Sequence, residues 1–542
     1  MIRRHLPLAG VLLVAAAVRA WGIGFGLPLT LARPDEEAIV AVARGFFSRD
    51  LNPHFFNYPT LFIYVVGLLF VAYFKFGKAI GWFGSEARFL RYSVAHQAPF
   101  YLIARLLSVA AGVATVWVVF RVALRMMSRR AALVAALFLA LSFLHVRDSH
   151  FGVTDISATL MLTTSFLFVV RLNGSGARRD LILAAVFAGL AASTKYNAAL
   201  IVLPACWVII APPRAVPWLR RFGMLAGYAA LTVAAFVAAS PFVVFDYRTF
   251  MAAVGFEGLH LSGGHGVNLG RGWATHLSLS LGYGLGTWRL ALGVAGFAAL
   301  LYRNWRTGIM VAAFPVAYYL ALGGGYTVFV RYMLPVVPFL CLGGAYALDA
   351  GVEWMAGRLR RPSWAMPMLA VLAVVFLAPS SVRIVQFLDI LGQTDSRVLA
   401  TDWIARSFPA GATIGQHGAG YGRVEFPLTE AGTEGPHRSL RFDKDRLIFF
   451  AADDSVMAAP DVIVVQRAPV ELYDDAPRNL MKVVAARYDL AYFVVAFEKP
   501  AYNVSRVYDW QDAFFVPLEG FDGVHRPGPN LSIYVRRDLR PR

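Results

Sequence analysis

Runs of about 20 apolar residues recur from Leu6 to about Val385, each long enough to cross a hydrocarbon core about 30 Å thick. A water-soluble fold cannot bury so many such runs. The chain therefore reads as a polytopic α-helical membrane protein. Its 58% hydrophobic and 15% charged residues agree, since soluble domains carry about 25% charge. Beyond Val385 the texture changes. Residues 390–542 mix charges, prolines and short apolar strands, the composition of a soluble α/β domain of ordinary size. The expected division is a transmembrane part, 1–389, and a wet part, 390–542.

Eleven crossings are expected, at 6–29, 99–124, 131–147, 154–172, 181–194, 196–211, 222–243, 273–302, 307–322, 332–350 and 364–385. The basic clusters 125–130, 176–180, 212–221, 303–306 and 358–361 should share the cytoplasmic side with the N-terminal MIRR. That parity leaves out one apolar run, 59–76, which is expected to lie at the outer surface, although Lys75, Lys78, Arg88 and Arg91 favour the opposite side. The N-terminal run reads as a retained first helix, because Arg19 interrupts a leader-cleavage pattern. The formal net charge of +18 is absorbed by this orientation rule, and nucleic-acid binding is set aside. Cys206 and Cys341 lie in apolar runs and imply neither a disulfide nor a zinc site.

On this topology the outward segments are 30–98, 148–153, a break at 195–197, 244–272 and 323–331. These segments hold the polar chemistry. Asp35, Glu36 and Glu37 follow Arg33-Pro34, where acids suit a helix start. An acid at the bilayer boundary can also deprotonate a hydroxyl, which favours Asp35 as a base over Glu36. Asp155 starts a helix and reads either as a cap or as a catalytic carboxylate. Lys195 stands mid-way in an apolar run beside Tyr196 and Asn197; a single span would bury its charge, so two short helices meeting at a break are expected. With Arg331, His150 and His54 it supplies the cations that a phosphate leaving group needs. Arg33 and Arg147 read equally well as contacts to lipid head groups. Asp246 and His265 lie in further outward loops. The glycines at 282, 284 and 286 read as close helix packing.

Six stretches then occur in order: RPDE (33–36), NPHFFNYPTLFIY (52–64), HVRDSHFGVTD (145–155), GLAASTKYNAALIVLP (189–204), SPFVVFDYRTF (240–250) and RYMLPVVPFL (331–340). Together they resemble the bacterial branch of the protein O-mannosyltransferase superfamily, glycosyltransferase family 39, and the aminoarabinose transferases of lipid A. The resemblance covers about residues 1–385. It implies a GT-C fold with juxtamembrane helices in the first outward loop, and an extracytoplasmic active site in a bacterial inner membrane. It also implies a polyprenyl-phosphate sugar donor. Carried over by motif, Asp35 with Glu36 is the base, Asp155 the second-loop aspartate, and Lys195 the residue near the donor phosphate. The aminoarabinose branch has a lysine just before the first-loop proline, whereas this chain has Phe56-Asn57-Tyr58-Pro59. Tyr58, His54 or Arg331 would then replace it, with Tyr196 and His150 alongside.

The expected reaction is inverting transfer of a sugar from the lipid phosphate to a hydroxyl of a glycolipid, polysaccharide or protein. The donor is a co-substrate; a divalent metal is compatible with the outward acids and histidines, but no spacing demands one. The alternative is a polytopic lipid or sugar transporter or flippase, and it is disfavoured by the absence of a repeat and by the placing of charges in loops. The wet domain is expected to bind acceptor, shield the site or act as a structural cap.

Overall fold

A computed structural model describes residues 2–213, 215–418, 420–432, 435, 437–443, 445–446, 448–451, 455–457, 459–474, 478–499 and 506–539. The first helices are α1 (Ile2–Ala20), α2 (Glu36–Gly45), α3 (Leu61–Ala79), α4 (Glu86–Ala95), α5 (Ala98–Met126), α6 (Arg129–Ala140) and α7 (Phe143–Asp148). There follow α8 (Thr154–Ser175), α9 (Arg178–Ala192), α10 (Val202–Ile210), α11 (Trp218–Ala239), α12 (Phe242–Phe245) and α13 (Tyr247–Gly263). A short α14 (Gly272–Thr275), a π-helical stretch (His276–Gly286) and α15 (Thr287–Arg303) form one continuous element, followed by α16 (Trp305–Gly323), α17 (Val337–Arg358) and α18 (Ala365–Leu391). Among the described residues, eight helical stretches are long and apolar enough to cross a membrane, with Leu6–Ala20 and Tyr196–Ile210 as shorter apolar helices. Leu61–Ala79 is one of the eight. Length and composition therefore admit 59–76 as a span, and the expectation that it stays at the surface rests on charge alone.

The chain divides into two compact units: Met1–Ala20, Val42–Gly67 and Ala104–Val385 in the first, and Trp21–Ala41, Leu68–Ile103 and Gln386–Arg542 in the second. In the first unit, close helix approach follows the small residues. A Cβ on Gly293 would stand 2.9 Å from the Leu340 carbonyl oxygen, so α15 and α17 touch backbone to backbone. Gly284 faces Leu144, where a Cβ would lie 2.8 Å from the leucine Cβ. Of the three glycines at 282, 284 and 286, Gly284 serves close packing and Gly286 takes a left-handed backbone, φ +97°.

The buried end of α6 shows how the fold satisfies backbone groups away from water. The last carbonyls of a helix have no intrahelical donor, and in an apolar setting each must find one. Two arginines from distant helices supply them. Arg19 donates to the carbonyls of Leu139 (3.3 Å) and Ala140 (3.0 Å), and Arg289 donates to those of Phe138 (3.1 Å) and Leu141 (3.2 Å). The positive charges also oppose the negative end of the helix dipole. Arg19 further contacts His145 Nδ1 (2.9 Å) and Ser149 Oγ (3.2 Å), tying α1 to the loop before α8.

In the second unit α19 (Ser396–Ser407) and α20 (Arg478–Arg487) flank a seven-stranded sheet. Its strands are β1 (Thr413–Gln416), β2 (Arg438–Asp443), β3 (Ile448–Phe450), β4 (Val456–Met457), β5 (Val462–Arg467), β6 (Tyr488–Val494) and β7 (Asn530–Arg536), in the order β4-β3-β2-β1-β5-β7-β6. β1 runs parallel to β2 and β5, and the other pairs are antiparallel. Central β5 is buried on both faces, so its sequence is a continuous apolar run. Val462 and Val464 face Ala400 and Ile404 of α19; Ile463 and Val465 face Leu480 and Val484 of α20. Alternation in the residues alone predicts strands at 412–415, 462–466, 490–496 and 531–536, and these overlap β1, β5, β6 and β7. The residues do not announce β2 and α20, whose apolar positions are interrupted by charged residues, or β3 and β4, which are only three and two residues long.

Candidate active site

Within the first unit the expected break is present: α9 ends at Ala192, and a 3-10 turn, Tyr196–Ile201, leads into α10. Lys195 lies between them in extended backbone, φ −154° and ψ 124°. Its ammonium donates to Asp155 Oδ1 and stands 5.2 Å from the centroid of the Tyr332 ring. The two side chains are 10% and 3% exposed, a buried ion pair. Asp155 is not the cap of α8; Val153 holds that position, and the carboxylate occupies the first turn, where it faces the helix N-terminus and Lys195 together.

Tyr332 links this pair to a cluster of aromatic and basic residues of the first unit. Arg331, 6% exposed, packs its guanidinium 4.4 Å from the Phe329 ring centroid, and Phe329 meets Tyr332 edge-on at 5.5 Å. His265 lies 5.1 Å from the same Phe329 ring, and its Nδ1 is 3.0 Å from His260 Nε2. Tyr318, fully buried, is within electrostatic reach of Asp155 and Tyr332. The first loop is fastened to the break by hydroxyls: Thr60 Oγ1 donates to Ser240 Oγ (2.8 Å), and Ser240 shares a 2.6 Å bond with Ser193. Tyr196 donates its hydroxyl to the Phe56 carbonyl at 2.9 Å, and Asn57 donates to Glu257 at 2.8 Å. Tyr58 stacks at an angle on Phe55, centroids 6.0 Å apart.

The other candidates are placed as follows. His150 is fully buried with Nδ1 2.9 Å from the Val146 carbonyl. Arg147, 1% exposed, pairs with Asp148 at 3.2 Å. Burial rules out its reading as a head-group contact. His54 is exposed; it bonds Asp50 at 2.9 Å and lies 3.7 Å from Asp246, which also accepts from Asn52 at 2.9 Å. Hydrogen bonds from Thr249 and Asn52 hold the Asp246 carboxyl below the ordinary range, so it is a carboxylate at neutral pH. Among the described residues no three His, Cys, Asp or Glu side chains converge as a metal site requires. No step below is routed through a metal.

The second unit holds the acidic start of the first loop. Asp35 accepts the first backbone bond of α2, from Ile39 at 3.2 Å, with φ +75°. A left-handed backbone is uncommon outside glycine, least so for Asp and Asn, and it persists only where the surroundings impose it. Those surroundings are the C-terminal residues. Arg33, fully buried, pairs with Asp512 at 2.6 Å, which removes its head-group reading too. Glu425 accepts from the Thr30 hydroxyl (2.9 Å) and the Leu31 amide (3.0 Å), and Arg397 donates to the Leu31 carbonyl at 3.2 Å. Glu37 accepts from the Tyr421 hydroxyl at 2.7 Å rather than facing solvent, and burial pushes its carboxyl up. Glu36 is 1% exposed, whereas Asp35 is half-buried, so Asp35 is the more accessible acid. The sequence carried no sign of Asp512, Tyr421 or Glu425 as partners of this loop.

Residues 101–245 match the family Dolichyl-phosphate-mannose-protein mannosyltransferase. The chain superposes on ArnT from Cupriavidus metallidurans in the apo state with 17% identity and a TM-score of 0.49, covering 76% of this chain and 81% of that one. It superposes on the oligosaccharyltransferase of Archaeoglobus fulgidus in the apo form with 13% identity and a TM-score of 0.51, over 76% of this chain and 59% of that one. The membrane part has the GT-C fold. Helices long and apolar enough to cross a membrane make the chain a multi-pass membrane protein, and its residues 101–245 resemble the mannosyltransferase family. No curated protein matches the sequence. Of the pair, Lys195 lies in the connection after α9 and Asp155 in the first turn of α8.

Proposed function

We propose that the protein transfers one sugar from a polyprenyl phosphate to an acceptor hydroxyl at the extracytoplasmic face of a bacterial inner membrane, with inversion. The reading is supported most by the Lys195–Asp155 pair beside Tyr332 and Arg331. A buried cation with its counter-ion, and a guanidinium packed on Phe329, are groups suited to a phosphate leaving group. The matched family is named for a dolichyl-phosphate-linked mannose, a donor of this class.

In the proposed reaction Asp35 accepts the proton of the acceptor hydroxyl as its oxygen attacks the anomeric carbon, and the bond to the phosphate oxygen breaks on the opposite side. Lys195 and Arg331 neutralise the departing phosphate. Asp155 fixes the direction of the Lys195 ammonium by accepting its hydrogen bond. Glu36 stands beside Asp35 as a second catalytic acid, Tyr58, Tyr196, His54 and His150 complete the proposed donor surroundings, and Asp246 and His265 are assigned to the acceptor or its loops. The strained, accessible carboxylate at position 35 fits the base role better than buried Glu36.

The test is turnover of a panel of radiolabelled polyprenyl-phosphate sugars by the purified protein in nanodiscs, wild type against Asp35→Asn. Release of polyprenyl phosphate from one donor, lost in the variant, supports transfer, and the anomeric configuration of the product reports inversion. Equal behaviour of both proteins with no donor consumed overturns the reading and favours a transporter.

A further inference from the structure

The second unit contains a cavity of about 380 Å³ that plays no part in the chemistry above, lined by Tyr73, Trp82, Phe83, Arg88, Tyr92 and Glu430. Pockets for small ligands are mostly apolar, span about 300–1,000 Å³ and carry a few placed polar groups. The aromatic wall is rigid. Phe83 meets Phe89 at 4.9 Å, Tyr92 at 5.2 Å and Tyr73 at 5.7 Å between ring centroids, and Tyr73 meets Phe100 at 5.9 Å. Trp82 is 58% exposed and meets Phe76 edge to face, centroids 6.3 Å apart.

The polar groups select among ligands. Arg88 and Glu430 line the same cavity, yet neither has an ion-pair partner among the described residues. A guanidinium that donates and a carboxylate that only accepts, set among aromatic faces, are matched by a ring bearing both hydroxyl donors and acceptors above apolar C–H faces. A phosphate would meet the repulsion of Glu430, and a cation that of Arg88. The cavity lies at the C-terminal end of the apolar helix Leu61–Ala79. Gly432 lies close to α4, where an added Cβ would meet Val94 at ordinary contact distance.

We infer that this cavity binds a neutral pyranose of a saccharide acceptor. Trp82 and Tyr92 stack on the sugar, and Arg88 and Glu430 bond its hydroxyls. The inference rests on the transferase reading for the word acceptor, but not for the binding of sugar. Two sources supply the same chemistry, a lipid-anchored glycan or a soluble polysaccharide.

The first experiment needs no turnover: the full chain in nanodiscs is titrated with methyl pyranosides of glucose, mannose, galactose and N-acetylglucosamine, reading tryptophan fluorescence. Trp82→Ala and Glu430→Gln are compared with Trp364→Ala, an exposed tryptophan elsewhere. The expected result is saturable quenching by at least one pyranoside, kept in Trp364→Ala and weakened tenfold or more in Trp82→Ala and Glu430→Gln. Absence of binding in wild type, or equal binding in all variants, overturns the inference. In the second experiment acceptor KM is measured separately for a glycolipid in the nanodisc and a soluble polysaccharide. A tenfold rise in KM for one of them, with donor KM and kcat unchanged, supports an acceptor subsite and names the source. If donor turns over but neither KM moves, the acceptor role fails. If sugar binds here while no donor is consumed, the transferase reading fails and the sugar site stands.

Discussion

Replacing Lys195 by methionine keeps the apolar stem and removes the charge, leaving the Asp155 carboxylate, 3% exposed, without its counter-ion. Breaking a buried pair from one side costs about 3–5 kcal/mol, because the remaining ion stays desolvated. The contact with the Tyr332 ring adds about 0.5–2 kcal/mol. Lys195→Met and Asp155→Asn should each lower unfolding stability in nanodiscs by that order. The double variant carries no charge and should return to within about 1 kcal/mol of wild type. Phosphate binding separates the two roles. A charge-assisted hydrogen bond worth about 1.5–3 kcal/mol corresponds to about 10- to 150-fold in Kd. That loss is expected for polyprenyl phosphate in Lys195→Met and should persist in the double variant. The assay is equilibrium binding of radiolabelled polyprenyl phosphate beside thermal unfolding of the same samples. A double variant that recovers both stability and lipid-phosphate affinity would refute the reasoning, since Lys195 would then only neutralise Asp155.

Arg19→Met removes the side-chain donor of the Ala140 carbonyl, while Leu139 keeps the Ser142 amide at 3.2 Å, and one buried orphan costs about 1–3 kcal/mol; thermal unfolding equal to wild type would dismiss the capping account. Arg33→Met strands buried Asp512 and should destabilise the second unit by about 3–5 kcal/mol, read by proteolysis of its C-terminal residues. At position 35, φ +75° predicts that Asn folds like Asp while Ala loses about 1–2 kcal/mol; both should abolish transfer, and an active Asp35→Asn moves the base elsewhere. Burial raises the Glu37 carboxyl above its usual 4.5, so its ionisation opposes folding. Wild type should be most stable below that value and lose stability as pH rises through it; Glu37→Gln should be the more stable protein at pH 7 and equal to wild type near pH 4, and equal curves at both would discount the burial.

Most of the long apolar spans, the break at Lys195 and the strand β5 were legible in the residues. The expected crossing 131–147 is instead two short helices, 181–194 is a helix of 15 residues, and Leu61–Ala79 is long and apolar enough to span. A charge in the middle of an apolar run, or an unbroken run of four β-branched residues, restricts conformation through local physics. Asp155 and Lys195 were both recognisable as chemistry-bearing, but as separate groups, a carboxylate for catalysis and a cation for phosphate. Their pairing across 40 positions left no local trace. Arg33 and Arg147 illustrate the same gap, since a basic residue at a helix end looks alike whether it meets lipid, Asp512 or Asp148.

Local patterning thus settled which segments are apolar, where they must break and which connections carry the polar groups, because periodicity and charge act over a few residues. Partnership came from the fold. Arg19 and Arg289 close one helix end from opposite parts of the chain, and Arg33 meets Asp512 across 479 positions. Such pairs form because a buried carbonyl or charge must be satisfied by whatever packing brings near, and that neighbour is chosen by the whole arrangement of helices and sheet.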